Sequence, residues 1–136
     1  MSPRTIFLSK LMGLFAGIIA ITMAANREAT VTAFVMLVHD PAALWVTGMV
    51  AVAAGLALVL CHNVWSGGAP TVVVTVVGWL TLLKGIAVLA LPLQTVVALS
   101  GWLRSAAFLY VDAAVLLALG IYLASAGFKA SRRRGP

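Results

Sequence analysis

Ser105-Ala-Ala-Phe-Leu-Tyr-Val-Asp112-Ala-Ala-Val-Leu-Leu-Ala-Leu-Gly120-Ile-Tyr-Leu-Ala-Ser-Ala-Gly-Phe128 is an apolar run interrupted by one charge, Asp112. A stretch this long and this poor in charge reads as a membrane-spanning helix. A carboxylate inside such a span costs about 2.5–3.5 kcal/mol on insertion scales, so it calls for a partner or a function. The chain has only three acidic residues, and the other two, Glu28 and Asp40, fall in a polar connection. Three further spans are read outward from this one: Ile6–Ala25, Ala42–Cys61 and Thr71–Leu91, the last carrying Lys84.

Composition agrees with this reading. Hydrophobic residues make up 63% of the chain and charged residues 9%, against about 45–50% and about 25% in soluble domains. The mean hydropathy is +1.14. The fold class expected is therefore all-α: a compact bundle of four transmembrane helices filling 1–136 as one domain, with short interfacial segments and a basic tail at 129–136. No stretch has the composition of a separate soluble domain.

The turn chemistry supports these boundaries. Asp40-Pro41 pairs an N-cap acceptor with proline at the first helical position. Ser66-Gly67-Gly68-Ala69-Pro70 is a tight turn leading into the third span, and Pro92 ends that span. Asn26–His39 and Leu93–Arg104 connect the spans in each half. Val31, Phe34, Val35 and Val38 fit one helical face, which predicts an interfacial helix, while the alternation at Thr30–Ala33 leaves a strand-like stretch open.

The net charge of +6 gathers at the ends of the chain, in Arg4, Lys10, Lys129, Arg132, Arg133 and Arg134. Basic ends flanking apolar spans place both termini in the cytoplasm, against anionic lipid rather than nucleic acid. Thr22-Met23-Ala24 is a poor small-x-small cleavage signal, so the first span is expected to be kept. The location expected is a bacterial inner membrane.

Lys84 and Asp112 are the residues most open to a functional reading. Counted from the span ends, both fall at similar depth in the outer half of the membrane. They could form an ion pair that fixes helix register. They could instead line a proton or ion pathway, or meet a partner protein. Gly13, Gly17, Gly55, Gly78, Gly85 and Gly120 mark small stripes that let helix backbones approach. Trp65 and Trp102, with Arg132, Arg133 and Arg134, are expected to anchor the interfaces. A weak repeat of span, interfacial segment and span is legible, with Lys10 matched to Lys84 and Gly55 to Gly120, as in a parallel two-fold repeat.

Cofactor chemistry finds little support. One cysteine, Cys61, allows no intramolecular disulfide and no thiolate cluster. His39 and His62 fall at opposite membrane faces, which argues against bis-histidine haem ligation. Nucleophile–base pairs, phosphate loops and paired carboxylates are all missing from the sequence. The expectation is a non-enzymatic membrane protein without cofactor, in contact with lipid and with other membrane subunits or copies of itself. It would be an accessory or structural subunit of a larger complex; the competing expectation is a minimal oligomeric transporter or channel using Lys84 and Asp112. His62-Asn63-Val64-Trp65 followed by Gly78-Trp79-Leu80-Thr81-Leu82-Leu83-Lys84-Gly85 resembles small bacterial four-span membrane proteins. That resemblance implies the four-helix topology and carries no activity, cofactor or catalytic residue.

Overall fold

The computed structural model describes residues 2–66, 68–101 and 106–132, with side chains omitted for 106–109. The fold is all-α. Its described elements are α1 (Pro3–Ala25), α2 (Arg27–His39), α3 (Pro41–Cys61), α4 (Ala69–Ala90), α5 (Leu93–Ser100) and α6 (Ala106–Arg132). Helices α1, α3, α4 and α6 are long and apolar enough to cross a membrane, as a multi-pass membrane protein requires.

Local chemistry sets the helix ends. The Ser2 hydroxyl accepts from the Thr5 amide and Pro3 opens α1, so this helix starts three residues before the apolar run. The Asp40 carboxylate accepts from the Ala42 and Ala43 amides, with Pro41 in the first turn of α3. Gly68 lies at φ 106°, a conformation that only glycine adopts freely, immediately before α4. At the far end α6 continues through Lys129 and Arg132. The expected tail from 129 is thus helical as far as 132, since basic residues in a last turn complement the helix dipole.

Two connections are more regular than the sequence indicated. Residues 27–39 are helical throughout, so the alternation at Thr30–Ala33 forms no strand; the Thr30 hydroxyl turns back to the Asn26 carbonyl. After Pro92 the chain makes a further short helix, α5, where only a connection was expected.

The bundle is built as nested hairpins. Helix α3 packs along α4, and α1 packs along α6, over most of their lengths; α2 meets α5. Among the described residues, contact between the two hairpins is slight, chiefly local touches of α1 with α4 and of α4 with α6. Exchanging the two halves of the chain maps each long interface onto the other, as a parallel repeat would.

Glycines fix the register of both interfaces. In the outer pair, a Cβ added at Gly13 would strike the backbone of Ala124, and one at Gly120 would lie 2.8 Å from the Gly17 nitrogen. In the inner pair, a Cβ at Gly55 would lie 2.5 Å from the Leu82 nitrogen, and one at Gly85 2.7 Å from the Val52 nitrogen. All these facing residues have numbers that sum to 137. Gly13 and Gly78 are 65 residues apart, and so are Gly55 and Gly120. At the same offset Thr30-Val31 matches Thr95-Val96, Val46 matches Val111, and Leu58 matches Leu123. The repeat therefore aligns Gly55 with Gly120 as read, but it sets Lys10 against Thr75 and Lys84 against Ile19. Lysines were poor markers: Lys10 packs on Gly127 in the α1–α6 contact, but its counterpart in the other half is Thr75, and Lys84 is exposed.

Candidate functional site

Side-chain polarity inside the bundle is confined to particular levels. Thr5, Ser9, His62, Thr71 and Thr75 are buried. These five sit in the first two turns of α1 or α4 or at the C-cap of α3, which is the end where both termini lie; Ser100, also buried, ends α5 on the opposite side. In the middle of the spans the buried residues are Gly13, Ala20, Gly55, Val59, Gly78, Leu82, Gly85, Gly120 and Leu123. Among the described residues, no polar side chain is buried in that middle layer.

Thr75 organises the polar end. Its hydroxyl lies 2.9 Å from the Val64 carbonyl and 3.2 Å from those of His62 and Thr71, and the Val64 amide donates to it at 3.3 Å. A hydroxyl has one proton and two acceptor positions, so one side chain can hold both polar groups of Val64. This fastens the extended stretch after α3 onto α4. Asn63 adds to it, its Oδ1 accepting from the Trp65 indole at 2.8 Å and the Trp79 indole at 3.5 Å. Trp79, a mid-span residue in the sequence, thereby gains a polar partner at the turn. His62 is 2% exposed, and among the described residues neither its Nε2 nor the Ser9 hydroxyl has a hydrogen-bond partner.

The hydroxyls along the spans are turned inward upon their own helices. Thr22 donates to Ile18, Thr47 to Ala43, Thr81 to Val77 and Ser125 to Tyr122. Such back-bonding takes up the hydroxyl proton, so these side chains offer no free donor to a solute beside them. The threonine–glycine stripe of α4 thus forms no polar path: Gly78 and Gly85 face α3, and Thr81 is satisfied within α4.

The structure does not bring Lys84 and Asp112 together. Neither forms an ion pair among the described residues. Register explains the separation. Tyr110 lies beside Arg27, whose guanidinium is 5.9 Å from the ring centroid, so Asp112 is level with Ala25 at the end of α1. Lys84 corresponds to Ile19, six residues further in, a difference of about 9 Å at 1.5 Å per residue. Counting residues from span ends had put the two charges level; the observed helix register corrects that. Their neighbourhoods differ as well. Asp112 belongs to α6 in the outer hairpin, whereas exposed Lys84 borders a cavity among α2, α3, α4 and α5.

That cavity has a volume of about 250 Å³. Its apolar wall includes Phe34, Val38, Leu44, Val88 and Val96, with Lys84 as the one charged residue. Two hydroxyl residues, Thr47 and Ser100, also border it, but both donate to carbonyls of their own helices, at 2.8 and 2.9 Å.

The remaining expected residues fall as follows. Gly17 would meet nothing within 4 Å with its own added Cβ; its backbone instead lies under Gly120. Trp65 is exposed beside the α3–α4 turn, and Arg132 is exposed in the last turn of α6. Trp102, Arg104, Arg133 and Arg134 lie outside the described residues. Lys10, expected as one of the basic residues near the chain ends and as a match for Lys84, has its ammonium 4.8 Å from the Phe128 ring centroid. A cation about two turns into α1 facing an aromatic late in α6 is visible only once the antiparallel register is known. No group of three or more histidines, cysteines or acidic residues among the described residues could hold a metal ion. No protein-family model, curated protein or solved structure matches the chain.

Proposed function

We propose that this chain is a non-enzymatic accessory subunit that packs by its lateral surface against a larger complex in a bacterial inner membrane. The observation that carries this reading is the apolar middle layer. Among the described residues, buried polar side chains lie only toward the ends of the spans, and the hydroxyls along the spans donate to carbonyls of their own helices. An ion crossing that layer inside the bundle would lose its water with no buried polar side chain among the described residues to replace it, and intramembrane charge transfer needs such replacement.

The lateral surface supports the same reading. At most 28% of the residues in any span are buried within the chain, so most of each helix is free to meet lipid or protein. Phe7, Phe15, Trp45 and Leu60 are all at least 60% exposed. The basic residues at both ends favour cytoplasmic termini, where the last turn of α6 would lie against anionic lipid or a partner.

Flux tests this directly. Purified and reconstituted alone in vesicles, the chain should move neither protons nor small solutes above the background of empty vesicles. Transport that disappears with Asp112→Asn or Lys84→Met would overturn the proposal in favour of the minimal transporter.

A further inference from the structure

We infer that the cavity between α2, α3, α4 and α5 is a binding site for one anionic membrane lipid, whose acidic head group pairs with Lys84. Three observations carry this. The cavity holds about 250 Å³, close to the lower end of the about 300–1,000 Å³ usual for small-molecule sites. Its wall is apolar apart from Lys84, Thr47 and Ser100, and those two hydroxyls already donate within their own helices. Lys84 has no ion pair, hydrogen bond or ring contact among the described residues.

A lysine in a membrane span requires a counter-charge or access to water. Here Asp112 belongs to the other hairpin, and Glu28 and Asp40 form no ion pair with Lys84. A phosphate drawn in from the adjoining leaflet supplies that counter-charge, and the apolar wall of Phe34, Val38, Leu44 and Val88 covers the pair on its interface side. The repeat adds selectivity. At the offset of 65 residues Lys84 corresponds to Ile19, and Thr47 to Asp112. The other half of the chain therefore has an anion where this cavity has a hydroxyl, and no cation where it has Lys84. An acidic lipid is favoured at one of the two related places and repelled at the other.

The test is native mass spectrometry of the full chain in neutral detergent, titrated with dioleoylphosphatidylglycerol or dioleoylphosphatidylcholine. One phosphatidylglycerol should be retained with at least a tenfold preference. Lys84→Met should abolish the preference, Lys84→Arg should keep it, and Lys129→Gln should leave it unchanged. Inorganic phosphate at millimolar concentration should not displace the lipid. Should Lys84→Met fail to fold, Val88→Trp, which fills the cavity and keeps the charge, must lose the bound lipid. Equal retention of both lipids, a preference surviving Lys84→Met or Val88→Trp, or displacement by free phosphate would each overturn the inference.

Discussion

The α1–α6 and α3–α4 interfaces share one register, and they differ in the side chains built around it. Both bring backbones together over glycines in one register, 65 residues apart. Around that frame the side chains diverge. Thr75 in the inner pair corresponds to Lys10 in the outer, and His62 corresponds to Gly127. In the inner pair Thr75 ties down the chain after α3. In the outer pair the Lys10 stem crosses Gly127, and its ammonium meets Phe128. Close backbone packing is thus the shared requirement of the two halves, while charge placement is particular to each.

The largest expected effect breaks the shared part. Gly13→Leu and Gly55→Leu each force a side chain into the opposing backbone, so each should lose stability at or beyond the about 3 kcal/mol upper end of ordinary overpacking. Thermal unfolding in detergent measures this. If one of the two is tolerated while the other is not, the interfaces are not equivalent. Gly17→Ala, with open space at its Cβ, should stay within about 0.5 kcal/mol of the parent.

A middle-sized effect separates the halves. Thr75→Val takes the partner from the part-buried Val64 amide and from the buried His62 carbonyl and should cost about 1–3 kcal/mol. Lys10→Met at the related position removes one cation–π contact and should cost about 0.5–1 kcal/mol. Equal losses would show that the Thr75 strap contributes nothing particular.

The smallest effect is a coupling. Lys84 and Asp112 form no ion pair among the described residues, so the losses from Lys84→Met and Asp112→Asn should add to within about 0.5 kcal/mol. A double variant much less harmed than the sum would restore the ion pair that the sequence invited.

The spans were legible because apolar length alone identifies them, and Asp40-Pro41 announced its helix start through cap chemistry. The glycines were legible as contact residues for the same kind of reason. What sequence could not supply was register. Small residues occur throughout these helices, so only the observed facing of Gly13 with Ala124 and Gly55 with Leu82 ties one half to the other. Without it, Lys10 and Lys84 offered themselves as a matched pair because both are rare charges. Depth counted from uncertain span ends then made Lys84 and Asp112 look level. The Lys84 cavity was out of reach for a related reason: its wall is assembled from four separate helices, one of them the unexpected α5.

Cross-linking tests the shared register most directly. In a Cys61→Ser background, Ala20→Cys with Leu116→Cys places thiols on facing turns of α1 and α6, at the positions related to Gly85 and Ala51 of the inner pair. Mild oxidation in membranes should join that pair, and should leave Lys84→Cys with Asp112→Cys unjoined. A disulfide between the second pair and none in the first would contradict the nested, twice-built register.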